Sequence, residues 1–156
     1  MKKLIIVLGF IISTHLFAQE ITNKEGVFVN NTGEKYSGNL VAYFENGNKQ
    51  YSYEIKEGKE NGKAEFFYVN GKLMEQGEFT NGKKTGNWIK WSEKGSQIKL
   101  AEANYNNGEK HGEWIIWDEN GIKRYEMHYE NGKRIGIWKS WDEKGNETET
   151  KDYSSK

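Results

Sequence analysis

This sequence predicts an all-β fold: an elongated antiparallel meander of tandem β-hairpin repeats, with about five units of about 24 residues each. Three observations carry that expectation. Glycines recur in register, tryptophans fall into identical pairs, and apolar residues alternate with polar ones at period two. Gly38, Gly62, Gly86, Gly112 and Gly136 are separated by 24, 24, 26 and 24 residues, and a second column follows nine residues behind at Gly47, Gly71, Gly95, Gly121 and Gly145. Gly58, Gly82, Gly108 and Gly132 close the units, and the two extra residues of the third step lie between Gly95 and Gly108.

The N-terminal residues stand apart from this pattern. Lys2 and Lys3 precede an apolar run from Leu4 to Ile12, followed by Ser13, Thr14 and a small residue at Ala18. That order predicts a secretory signal peptide over residues 1–18. The apolar run is shorter than the ~20 residues that span a bilayer, so no stable membrane insertion is expected after cleavage. The product is expected to be exported, to a periplasmic or extracellular location. Residues 19–37 form an N-terminal capping segment, in which Glu25-Gly-Val-Phe-Val29 alternates ahead of Tyr36-Ser-Gly38. The repeat domain occupies residues 38–156.

Within a unit, the second half alternates most plainly. Tyr125, Met127 and Tyr129 have Glu126, His128 and Glu130 between them, which predicts a strand with one apolar and one wet face. The same frame holds Tyr51, Tyr53 and Ile55, then Gly77 and Phe79, then Ala101, Ala103 and Tyr105. First halves such as Gly112-Glu-Trp-Ile-Ile-Trp117 carry the aromatic and β-branched residues of partner strands. Between the halves, Asn46-Gly47, Asn70-Gly71 and Asn120-Gly121 are expected to take the positive φ values of tight hairpin turns. The connections between units, such as Asn81 to Gly86 and Asn131 to Gly136, are too short for the crossovers of a parallel sheet. The chain contains no proline.

The aromatic columns are expected to staple one repeat to the next. Column one runs Leu40, Ala64, Trp88, Trp114, Trp138, and column two runs Tyr43, Phe67, Trp91, Trp117, Trp141. The two tryptophans of a pair are three residues apart, which puts them on opposite faces of a regular strand. Either both faces carry aromatics or a bulge redirects one ring. At the C-terminal end, Glu147-Thr-Glu-Thr-Lys-Asp-Tyr153 keeps the strand register with charge in place of apolar residues, the pattern of a protected edge strand.

Charge and chemistry narrow the function. Without Lys2 and Lys3, the 23 basic side chains become 21 against 23 acidic ones, a formal charge of −2, so no nucleic-acid partner is expected. The chain has no cysteine, so an exported form must hold together without disulfides. Outside the leader the only histidines are His111 and His128, and no ligand spacing points to a metal. Asp118-Glu119 and Asp142-Glu143 recur at turns ahead of a glycine, where solvated carboxylates are ordinary, and lack the alternating oxygen ligands of a calcium loop. No nucleophile elbow or nucleotide fingerprint occurs. No catalytic residue, metal or cofactor is expected, and the chain is expected not to be an enzyme.

Asn107-Gly-Glu-Lys-His-Gly-Glu-Trp-Ile-Ile-Trp-Asp-Glu-Asn-Gly121 and Asn131-Gly-Lys-Arg-Ile-Gly-Ile-Trp-Lys-Ser-Trp-Asp-Glu-Lys-Gly145 resemble the MORN-variant repeat. The resemblance extends from Gly38 to Tyr153, with Leu40 and Ala64 standing where tryptophan is usual. It implies a β-hairpin repeat fold. Proteins of this pattern include YwqK-like antitoxins, so the resemblance also implies neutralisation of a toxin by direct binding. The expected function is a non-enzymatic scaffold for a protein partner, with a glycan as the alternative ligand. The expected surface comprises Trp88, Trp91, Trp114, Trp117, Trp138 and Trp141 with the wet-face residues Glu126, His128 and Glu130.

Overall fold

Strand follows strand in the computed structural model, which describes residues 20–154, and no helix occurs among them. The expected signal peptide lies outside the described residues. A small hairpin, β1 (Thr22–Lys24) and β2 (Val27–Val29), precedes a ten-stranded sheet. The sheet comprises β3 (Gly38–Tyr43), β4 (Lys49–Lys56), β5 (Lys59–Phe67), β6 (Leu73–Thr80) and β7 (Lys83–Trp91). It continues through β8 (Lys99–Asn106), β9 (Glu109–Trp117), β10 (Lys123–Glu130), β11 (Lys133–Trp141) and β12 (Glu147–Asp152). Each strand is antiparallel to its sequence neighbour, and β3 and β12 are the two edges. Nine steps of about 4.8 Å give the sheet a span of roughly 43 Å. The all-β meander of hairpins is therefore the fold that the glycine columns predict.

The tightest turns lie where one unit meets the next. Glu57-Gly58, Asn81-Gly82, Asn107-Gly108 and Asn131-Gly132 all have positive φ at both residues, as a two-residue type I′ hairpin requires. Pairing resumes at once, with Thr80 opposite Lys83 and Glu130 opposite Lys133. The expected turns within the units differ: Gly47, Gly71 and Gly121 take positive φ, but Asn46, Asn70 and Asn120 do not. There the glycine N–H returns to a carbonyl three residues back, as in Gly47 to Phe44, and the side chain at the turn's start or centre accepts further amides. Asp118 Oδ1 accepts from both Asn120 and Ile122, and Asp142 Oδ1 from both Lys144 and Asn146. In each acidic pair the aspartate serves its own turn, whereas Glu119 accepts from Ser92 Oγ in the preceding unit.

Gly86, Gly112 and Gly136 sit inside strands at φ 63, 68 and 61°. They produce a repeated irregularity: Ala103 pairs with Trp114 and Tyr105 with Lys110, so β9 accommodates extra residues around Gly112. The bend draws together strands that a flat sheet would hold nearly 10 Å apart. Gly58 N donates to Tyr36 O, Gly82 N to Glu60 O, Gly108 N to Lys84 O and Gly132 N to Lys110 O, at 2.8–2.9 Å. On the opposite rim, side chains bridge the corresponding gaps. Asn46 and Asn48 reach Val69 O, Tyr68 Oη reaches Trp91 O, and Arg124 Nε reaches Trp141 O.

The core lies along one face. Tyr53, Phe79, Trp88, Tyr105, Trp114, Tyr129, Trp138 and Tyr153 form an unbroken zigzag of rings with centroids 5.0–6.4 Å apart, mostly edge to face. Each such pair contributes about 0.5–1.5 kcal/mol beyond area burial. The indole N–H groups of Trp88, Trp114 and Trp138 donate to Glu78 O, Asn104 O and His128 O, which leaves no buried indole nitrogen unpaired. Gly77 makes room for the first of them: a Cβ there would stand 2.2 Å from Trp88 Cδ2. Of the two columns expected to staple the repeats, column one forms this ladder, its tryptophans interleaved with Phe79, Tyr105, Tyr129 and Tyr153.

At the N-terminal end, Ile21, Phe28 and Tyr36 pack on Leu40 and Ile55, all buried. Phe28 N donates to Gly58 O and Tyr36 N to Phe28 O, tying the small hairpin to the main sheet. At the other end every residue of β12 is exposed, and only Tyr153 continues the ladder.

Candidate functional site

The two tryptophans of each pair face opposite sides of the sheet. In β9, Glu113, Ile115 and Trp117 stand across from His128, Glu126 and Lys123, whereas Trp114 stands across from Met127 and Ala103. A bulge does accompany each pair, but it falls in the neighbouring strand. Lys90 pairs with Ala101 and Trp91 with Lys99, so Leu100 of β8 is the extra residue and β7 keeps its alternation. Both faces therefore carry aromatics.

This separation divides the nine residues expected at the surface. Trp88 and Trp114 are buried, 2% and 9% exposed, and Trp138 is half-buried beside Tyr129 and Tyr153, so these three belong to the ladder. Trp91, Trp117 and Trp141 are half-buried on the other face, together with Glu126 and His128, while Glu130 is exposed beside the β10–β11 turn. Tyr43 and Phe67 extend the same row, and Tyr43 is 51% exposed. The wet face and the second aromatic column are one surface.

Its electrostatics are ordered along the strands. Lys99 Nζ lies 2.7 Å from Glu102 and 5.5 Å from the Trp117 ring centre, and Lys123 Nζ lies 2.7 Å from Glu126 and 4.3 Å from that of Trp141. Lys49 stands likewise over Phe67 at 5.0 Å. Each lysine thus links an aromatic ring of one unit to the strand before it, an interaction worth about 0.5–1 kcal/mol at an exposed site. The Lys99 hydrogen bond, opposed by partial burial and reinforced by Lys99's charge and by Asn87, holds Glu102 below the usual carboxylate range. Lys139 pairs with Glu147 at 2.9 Å, and that hydrogen bond raises the lysine, while the Thr150 hydroxyl foremost and Lys139 after it hold the Glu147 carboxyl below the usual range.

One grouping was invisible in the linear sequence. Glu113, Glu126 and His128 converge, with one possible ligand atom from each lying within 4.8 Å of the others. Glu113 and His128 are 15 positions apart and become neighbours only through the β9–β10 register. A rule of adjacent-residue spacing has no means of finding them. His111 is separate from this group, and its Nδ1 is buried without a hydrogen-bond partner.

The MORN repeat variant matches residues 60–81 and 110–131 of the chain. Each stretch covers one hairpin in the same phase, β5–β6 and β9–β10, from just after one inter-unit turn to the start of the next. MORN repeats are generally modules that bind proteins or membranes. No curated protein matches the chain. Among the described residues no helix is long and apolar enough to cross a membrane.

Proposed function

We propose that this chain is an exported, non-enzymatic scaffold that binds a protein partner on the face carrying Tyr43, Phe67, Trp91, Trp117 and Trp141. The observation that carries this reading is the row itself: half-exposed aromatics at every second strand, opposite a ladder that already fills the core. Five rings spread from β3 to β11 make a row that runs almost the full width of the sheet, room for the ~800 Å² that each partner contributes to a stable interface. Tryptophan and tyrosine supply large contact area at little entropic cost, and the flanking Lys–Glu pairs supply a polar rim. Export rests on Lys2, Lys3 and the apolar run behind them.

A protein is favoured over a glycan because lysine ammonium groups stand over the rings of Phe67, Trp117 and Trp141, where a sugar would stack. The decisive experiment places a photo-crosslinking residue at Ile115, between Glu113 and Trp117, in the protein in its native envelope. One protein should be captured, and Trp117→Ala with Trp141→Ala should abolish capture while circular dichroism retains the folded sheet. Capture indifferent to both substitutions, or capture of glycan alone, would overturn the reading. The finer antitoxin reading requires more: the captured protein must arrest growth when expressed alone, and this chain must relieve the arrest.

A further inference from the structure

The cross-strand slot filled by Glu113, Glu126 and His128 recurs in every unit, and its chemistry changes along the sheet. In the first unit it holds Asn39, Ser52 and Glu54, and in the second Lys63, Gln76 and Glu78. In the third it holds Asn87, Glu102 and Asn104, and there Asn87 Nδ2 donates to Glu102 Oε1 at 3.1 Å and to Asn104 Oδ1 at 3.5 Å. A donor on the odd-numbered strand therefore holds two acceptors of the next strand together. In the fourth unit Glu113 replaces that donor. Two carboxylates and an imidazole then converge without a hydrogen bond among the three.

The lysines nearby do not fill the gap. Lys123 engages Glu126 Oε2, as Lys99 engages Glu102 in the third unit, and Lys139, opposite Glu126, is paired with Glu147. Ile115 and Ile135, the other strand partners of Glu126 and His128, carry no charge. What the slot has lost, compared with the third unit, is its central hydrogen-bond donor, so that the Glu113 and Glu126 carboxylates and the His128 imidazole now face one another with no donor between them. We propose that Glu113, Glu126 and His128 bind a single divalent transition-metal ion of the zinc class. One imidazole nitrogen and two carboxylate oxygens form a three-ligand set of the kind zinc takes with water in the fourth position. The mixed nitrogen and oxygen donors favour zinc, nickel or copper over calcium and magnesium, which take oxygen alone. Glu113 is exposed, so its side chain is free to close the remaining distance.

Such an ion would tie β9 to β10 on the face proposed to bind a partner, yet the site does not depend on that reading. The test uses the full chain, freed of metal by chelation, in calorimetric titrations with ZnCl2 and separately with CaCl2. Zinc should bind at one equivalent and raise the melting temperature, and calcium should do neither. Outer-shell partners alone are worth roughly 10–100-fold in affinity, so His128→Ala or Glu113→Gln should weaken zinc binding by at least about that much. His111→Ala should leave it unchanged, and the His128 ring proton signals should move on titration. Zinc binding that survives His128→Ala, binding abolished by His111→Ala, or no saturable binding in the folded protein would each overturn the proposal.

Discussion

The indole of Trp114 lies between Tyr105 and Tyr129 with its N–H satisfied by Asn104 O, whereas that of Trp117 lies half-open with Lys99 above it. Identical side chains three positions apart therefore have different energetic weight. Trp114→Ala should cost about 3–5 kcal/mol, the range for truncating a buried aromatic ring. Trp117→Ala should cost less than about 2 kcal/mol, because burial is partial. Urea denaturation of the two variants checks this, and equal losses would refute the assignment of faces. The identity of both residues was plain in the sequence, but which face closes was not. Period two places side chains on two faces without saying which one meets other rings. Tyr53 adds a second expectation at this scale: burial, aided by the nearby charges of Tyr51, Glu60 and Glu75, pushes its hydroxyl up to about 12. Burial also raises Tyr36, Tyr51 and Tyr105. An unfolded tyrosine loses its proton near pH 10, so the unfolded state binds fewer protons above that pH and stability falls as pH rises. Stability should be intact below about pH 10 and decline toward pH 12, and Tyr53→Phe should make the decline shallower. A flat stability profile from pH 9 to pH 12 would show that these hydroxyls are not held neutral by the fold.

Among the elements, every turn between units of the main sheet holds a non-glycine residue at positive φ, whereas within units only the β7–β8 loop does, at Gln97. Glu57, Asn81, Asn107 and Asn131 all sit near φ 50°, a region that costs most L-residues about 1–2 kcal/mol but asparagine less. Asn131→Ala should therefore destabilise the β10–β11 hairpin by about 1 kcal/mol, and Glu57→Gly should relieve strain between β4 and β5. Thermal melts of both variants give the signs directly, and a destabilising Glu57→Gly would mean that the entropy glycine adds to the unfolded chain outweighs the strain it relieves, since the backbone N–H bonded to Ser37 Oγ is kept. The Asn-Gly dipeptides were legible as turns except at Asn61-Gly62, which lies inside β5. Their type was not, because it depends on how many residues close the loop. Two residues enforce the I′ form at Asn81-Gly82, while the longer loop at Asn46-Gly47 places only the glycine at positive φ. The same limit hid the Glu113, Glu126 and His128 grouping. Its register follows from the bulge between Lys123 and Tyr125 and from the bend at Gly112, neither of which periodicity encodes.

For the whole molecule, stability should behave as a sum over neighbours, because the strands of the main sheet pack substantially only against those beside them in sequence. The glycine columns make this architecture legible in the sequence. The unequal sealing of the two ends was less apparent. At the N-terminal end, Ile21, Phe28 and Tyr36 cover Leu40 and Ile55, which are 0% and 4% exposed. At the C-terminal end, β12 is exposed throughout and adds one ring, Tyr153, beyond Trp138. Removing residues 20–37 uncovers a continuous apolar cluster, whereas ending the chain at Asn131 removes β11 and β12 and leaves Tyr129 at a frayed but still paired edge. The chain ending at Asn131 should therefore remain folded, with a lower urea midpoint and a shallower dependence on urea in proportion to the surface lost. The chain lacking residues 20–37 should lose more stability although it loses fewer strands of the main sheet. Hydrogen exchange should follow the same order, slowest from β5 to β9 and fastest in β12. If both truncations instead unfold completely in one step, the sheet is a single cooperative unit, and the neighbour-by-neighbour account fails.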